Sequence, residues 1–117
     1  MAGITPEGRV KKRVRQLLSD RGARLWHYMP MQNGMGVVGI PDLVCCYRGI
    51  FVAIETKAPM KTPTTEVQRW NKATPNQQHQ LTGIRRAGGY AIVADDVEQV
   101  RQLLDKIDVT LGGPLDG

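Results

Sequence analysis

The sequence predicts an α/β fold, a mixed four-stranded sheet flanked by helices, and three observations carry that expectation. Helix-opening signals occur at Thr5-Pro6, at Thr74-Pro75 and at Asp95-Asp96. Two almost continuously apolar runs flank an Arg48-Gly49 turn. A further apolar run, "YAIVA", follows the second helix signal. The order is α-β-β-β-α-β-α, so three strands meander and a helix crosses over to a fourth. The 117 residues suffice for one domain, 1–117, with a modest core over about 5–107 and a flexible tail at 108–117.

Residues 5–20, "TPEGRVKKRVRQLLSD", are expected as the first helix. Thr5 suits the N-cap, Pro6 the first helical position, and Glu7 the first turn, where the helix dipole favours an acid. Val10, Val14, Leu17 and Leu18 make one apolar stripe, and Arg21-Gly22 ends the helix. Residues 24–30, "RLWHYMP", read as a strand stopped by Pro30. "MQNGMGVVG" then reads as a mobile loop containing Gly34, Gly36 and Gly39. Residues 42–47 and 50–57 form the next two strands, whose continuous apolar character predicts cover on both faces. Residues 58–73 make a long connection, with a helical turn near 66–70. Thr74 opens a helix that runs to about Ala87, where Gly88-Gly89 stops it. Residues 90–94 form the fourth strand. Val97, Val100, Leu103, Leu104 and Ile107 are the inner stripe of a last helix, and "LGGPLDG" is expected to fray.

Composition narrows the function classes. No window approaches the ~18 apolar residues of a membrane span, and the N-terminus lacks the apolar run of a signal peptide. The expected location is the cytoplasm, that of the host if the chain is viral. Cys45 and Cys46 are adjacent and would point to opposite faces of a strand, so neither a disulfide nor a metal clip is expected. Both are expected in the core. The net charge is +5, and seven of the sixteen Lys and Arg residues fall between Arg9 and Arg24. That clustering suits a polyanion such as nucleic acid, or equally a solvated helix face. The glycine loop does not match the phosphate-cradling P-loop pattern, so no nucleotide cofactor is expected.

The chemistry concentrates in "GIPDLVCCYRGIFVAIETK", residues 39–57. Glu55 and Lys57 share one strand face. Asp42 opens the preceding strand, and an antiparallel hairpin brings the start of one strand beside the end of the other. Two carboxylates repel unless a cation lies between them or one is protonated. Hard oxygen ligands at this density suit Mg2+ or Mn2+, and such a set suits phosphodiester hydrolysis. Lys57 could orient water or stabilise developing charge. A structural ion pair between Lys57 and one acid would account for the same residues.

The combination of "GIPDL" with "ETK" resembles the PD-(D/E)xK nuclease signature, and the element order is that superfamily's core. More narrowly, the chain is similar to the VRR-NUC (virus-type replication-repair nuclease) family. The matching pieces are the early helix with Glu7, the loop before "GIPDL", the "ETK" strand, "TPNQ" and "YAIVADDVEQV". The resemblance covers roughly 5–104 and implies a metal-dependent DNA endonuclease acting in replication, repair or recombination. Asp42, Glu55 and the Thr56 backbone carbonyl would bind Mg2+ or Mn2+, and Lys57 would be the catalytic lysine. Glu7 would be a further metal or water ligand, against a plain first-turn acid. Gln77 would order the site beside Lys57, against an exposed helix residue, with Gln78 as the alternative register. The resemblance also implies a homodimer, since cutting two strands symmetrically needs two sites.

The 58–73 connection is long for that family. Lys61, Arg69 and Lys72 could clamp DNA there, together with Arg9, Lys12 and Arg13 of the first helix. For Trp70, packing or a dimer contact is favoured over base stacking. His27 reads as structural and His79 as solvent-facing. No base-reading motif is visible, so recognition of branched or junction DNA by shape is expected over recognition of a sequence. The competing class is a non-enzymatic DNA-binding subunit that retains the nuclease fold, which would not need Asp42, Glu55 and Lys57 together. A structural oligomerisation module is disfavoured by the clustered positive charge.

Overall fold

Arg48 and Gly49 both take positive φ, 51° and 85°, the backbone of a tight two-residue hairpin. This turn fixes the sheet centre. The computed structural model describes residues 3–32 and 36–113. Its helices are α1 (Pro6–Asp20), α2 (Glu66–Lys72), α3 (Pro75–Arg86) and α4 (Val97–Thr110). Its strands are β1 (Leu25–Tyr28), β2 (Leu43–Tyr47), β3 (Ile50–Thr56) and β4 (Tyr90–Ala94). The sheet order is β1-β2-β3-β4. β1, β2 and β3 are antiparallel neighbours, and β4 lies parallel to β3 after the α3 crossover. No helix among the described residues is long and apolar enough to cross a membrane.

The helix caps are those the sequence advertises. Thr5, Thr74 and Asp96 each accept a hydrogen bond from a first-turn backbone N–H of their helix. Thr65 does the same for α2. Strand alternation then separates two cores. Val52 and Ile54 of β3 join Leu43, Cys45 and Tyr47 of β2 under the apolar stripes of α1 and α4. Ala53 faces the other way and meets Leu81 of α3, with Ala73, Ala91 and Val93. Trp70 packs against this second core, with the Arg85 guanidinium 4.4 Å over its ring. His27 lies 3.2 Å from the Ser19 hydroxyl, and His79 is exposed.

Several expectations are corrected. β1 is shorter than 24–30, because Gly22–Arg24 form a 3-10 turn and the pairing with β2 ends at Tyr28. Cys46 is exposed, not a core residue. α3 covers only the β3–β4 side of its face, so Cys46, Trp26, Tyr28 and Phe51 lie bare. Cover on both faces therefore holds for β3 from Val52 to Thr56 but not for Cys46 or Phe51. α4 continues through Thr110, so 108–110 are helix, not tail. Gly34, with Asn33 and Met35, and Pro114–Gly117 of the expected tail lie outside the described residues.

Asp108 explains the longer helix. It is 6% exposed, accepts from the Tyr47 hydroxyl at 2.9 Å and from Arg48 at 2.7 Å, and has Arg21 at 3.5 Å. Burial opposes its charge, but the hydrogen bonds from Arg48 and Tyr47 outweigh that and hold the carboxyl below its ordinary value. Asp108→Ala should destabilise the fold by about 3–5 kcal/mol, because it leaves the buried Arg48 guanidinium without a counter-charge and the Tyr47 hydroxyl without its acceptor. Urea unfolding at neutral pH measures this. The difference should fade as pH falls through the carboxylate range, where the wild-type carboxyl is itself protonated.

Candidate active site

The register that pairs Leu43 with Ile54 places Asp42 opposite Glu55. Asp42 is fixed by its neighbour on that strand. Its Oδ2 accepts from the Thr56 backbone N–H at 2.9 Å and from the Thr56 hydroxyl at 2.7 Å. The other oxygen, Oδ1, faces the Lys11 ammonium at 3.5 Å.

Glu55 is 3% exposed. Its Oε2 accepts from Gln77 Nε2 at 3.2 Å and lies 3.9 Å from Lys57 Nζ. Its Oε1 is buried with no hydrogen-bond partner. Burial, then the Asp42 charge and a hydrogen bond that a protonated Glu55 can share with Asp42, push the carboxyl from an ordinary 4.5 up to about 8, while Lys57 pulls the other way.

Gln77 joins the site through its capping role. Its Oε1 accepts from the Thr74 backbone N–H at 2.9 Å and from Lys57 Nζ at 3.0 Å. Both of those groups can only donate, which fixes the amide orientation and leaves Nε2 to donate to Glu55. One side chain thus holds both the lysine and the acid. Gln78 instead donates to the carbonyls of Trp70 and Ala73, tying α3 to the end of α2.

The backbone around Lys57 is also tethered. Its N–H donates to Ala94 O at 2.9 Å, extending the β3–β4 ladder. Lys72 reaches the Ala58 carbonyl at 3.4 Å and Asp95 at 3.6 Å. Asp95 also accepts from the Thr64 hydroxyl, and Arg69 donates to the Thr64 carbonyl at 2.6 Å. Lys72 and Arg69 therefore pin the 58–73 connection from inside. Lys61 is exposed on that connection, and Arg9, Lys12 and Arg13 are exposed on α1.

Glu7 is half-buried on the first turn of α1. Its charge contributes to raising Glu55, but no ion pair or hydrogen bond links it to Asp42 or Glu55. Asp42, Glu55, Lys57 and Gln77 come together, and Glu7 is near enough for its charge to act on Glu55. Among the described residues, no three His, Cys, Asp or Glu side chains group closely enough to hold a metal. Two carboxylates still fit Mg2+ or Mn2+, since Mg2+ keeps several waters and needs only one or two protein carboxylates. The buried Glu55 Oε1 has no hydrogen-bond partner and lies beside a second carboxylate, so a shared proton, or a cation in its place, relieves the cost of a bare buried acceptor.

Gly39 seats this arrangement. Its φ is +84°, and a Cβ there would lie 2.4 Å from the Asn76 carbonyl atoms and 2.7 Å from Gln77 N. The loop before Asp42 thus rests on the backbone that carries Gln77. Gly39→Ala should cost roughly 2–4 kcal/mol and displace Gln77 from Lys57. Thermal melts read the first effect, and a shift of the Gln77 side-chain amide resonances reads the second.

Sequence reasoning did not single out Lys11. The available signal was its position one helical turn after Glu7, which puts both residues on one face of α1.

A solved structure described as a VRR_NUC domain is similar to this chain, with a TM-score of 0.62 and 25% identity. The match covers 86% of this chain and 95% of that one. No family model matches the sequence, and no curated protein matches it.

Proposed function

We propose that this chain, whose fold is that of a VRR-NUC nuclease domain, is a Mg2+- or Mn2+-dependent DNA endonuclease. The likeness implies a nuclease-type, DNA-processing function. The observation that carries the finer reading is the pairing of Asp42 with a buried Glu55 whose Oε1 has no partner, beside a lysine held by Gln77.

In this reading Asp42, Glu55 and the Thr56 carbonyl would hold the metal, with Glu7 as a further metal or water ligand. The metal, when bound, acidifies a water and offsets charge on the phosphate. Lys57 Nζ orients the attacking water and stabilises charge as the phosphate oxygens become more negative. Gln77 keeps that ammonium aimed into the site. Water oxygen bonds to phosphorus, the bond to O3′ breaks, and a proton passes to O3′. The products are a 5′-phosphate and a 3′-hydroxyl. Arg9, Lys12, Arg13 and Lys61 contact phosphates, while Arg69 and Lys72 chiefly hold the connection they lie on. Phosphate contacts carry no sequence information, so selection falls on shape, as in branched or four-way junction DNA met in replication, repair or recombination.

The test is cleavage of linear, flapped and four-way DNA in Mg2+ or Mn2+. Faster cutting of branched substrates is expected. DNA binding without metal-dependent cutting of any substrate would favour the non-enzymatic binding subunit.

The reading includes a homodimer, and the bare sheet face supports it. Trp26 and Tyr28 stack on each other there and are 64% and 50% exposed. Tyr28, with Phe51, Val37 and Val38, lines a groove of about 710 Å³ that, among the described residues, no charged side chain lines. A groove without cations offers phosphates no counter-charge. It is where two copies of a +5 chain can meet without repulsion. Cys46 is an exposed thiol on this face, while Cys45 is buried. Maleimide labelling of Cys46 should therefore slow as protein concentration rises, and Val38→Asp should abolish that dependence. A monomer at high concentration by light scattering would remove the dimer from the reading.

A further inference from the structure

Asp42 has one committed oxygen and one available one. Oδ2 is occupied by the two Thr56 donors, so Oδ1 is the atom left to meet a cation. Lys11 Nζ lies against that Oδ1 at 3.5 Å. Lys57 stands in the same relation to Glu55 at 3.9 Å. Each of the two acids thus faces its own lysine. The two lysines differ in how they are held. Lys57 is anchored by Gln77, whereas Lys11, whose side chain is 29% exposed, has Asp42 as its only partner among the described residues.

We infer that Lys11 is a tethered cation that occupies Asp42 in the metal-free protein and leaves it when a divalent ion binds. The inference rests on the metal-dependent reading of the site. A divalent ion held by Asp42 and Glu55 would draw on the same Asp42 carboxylate, and its charge would repel an ammonium held within a few ångströms. Lys11 sits on the second turn of α1, on the helix that also carries Arg9, Lys12 and Arg13. Its flexible stem lets the displaced ammonium swing outward to a phosphate. Metal loading then frees a phosphate contact, so metal and DNA affinities are coupled. By linkage the coupling is reciprocal.

Calorimetric titration of Mn2+ into wild type, Lys11→Met and Lys12→Met tests the first half without any cleavage. Lys11→Met should bind Mn2+ about five-fold or more tightly than wild type, since the competing charge is gone. Lys12→Met, one position along and exposed, should stay within about two-fold, which separates displacement from loss of general positive charge. Lys11→Arg should restore affinity toward wild type. The second half uses the cleavage-deficient Lys57→Ala protein. Ca2+ should tighten its binding to four-way DNA, and adding Lys11→Met should shrink that gain about three-fold or more. Melting temperatures establish that each variant is folded. Equal or weaker Mn2+ binding by Lys11→Met overturns the role of Lys11 while leaving the metal site standing. No Mn2+ binding by wild type overturns the metal reading itself, and the inference with it.

Discussion

Lys57→Ala is expected to slow DNA cleavage by about 10²–10⁴-fold, while folding and DNA affinity stay close to wild type. The size follows from the placement of the ammonium. Its side chain is 17% exposed, and Gln77 holds it 3.0 Å away, aimed into the site. A preorganised charge in a place poor in water is worth far more to a transition state than the same charge in solvent. The fold should tolerate its loss, because the backbone of residue 57 is held by Ala94 whatever the side chain. Gln77→Ala makes the complementary test. It frees both Lys57 and Glu55 and removes the capping bond to Thr74, so it should lower rate and stability together. Single-turnover cutting of a four-way junction, run beside thermal melts, separates the two variants. A Lys57→Ala protein that cuts as fast as wild type would remove Lys57 from the chemistry, even if the protein proved to be a nuclease.

The elements that the sequence discloses well are those with local causes. Thr5, Thr74 and Asp96 cap their helices through atoms a few residues away. The Arg48-Gly49 turn fixes the hairpin register, and that register alone places Asp42 opposite Glu55. What the sequence hides depends on distant parts of the chain. Cys46 and Cys45 look equally apolar, and only the landing site of α3 after its crossover decides which is covered. Asp108 looks like a solvated acid on a helix, yet Tyr47 and Arg48, some sixty residues earlier, draw it inward. Arg69 and Lys72 read as loose charges on a long connection until Thr64 and Asp95 are seen to take them. In each case the local pattern supplies the side chain and the tertiary fold supplies its partner.

Glu55 should make the metal-free protein less stable as pH rises, the reverse of ordinary acid denaturation. Its folded carboxyl titrates at about 8, against an ordinary 4.5. A raised folded value means that its favourable contribution is complete below the ordinary value and is lost as pH rises through the folded one. The unfolded chain ionises freely over that window, whereas the folded chain must first charge a buried group next to Asp42. A shift of this size corresponds to several kcal/mol. In chelator, the melting temperature should therefore fall markedly between about pH 5.5 and 8.5. Glu55→Gln should flatten the profile, because the amide cannot ionise. Mg2+ or Mn2+ should reverse the loss, and its stabilising effect should grow with pH, since a metal ligand must be deprotonated. Metal binding at about pH 7 should accordingly release close to one proton, which calorimetry in buffers of different ionisation enthalpy can count. A flat melting profile in chelator, with no proton released, would mean that Glu55 is already ionised without metal.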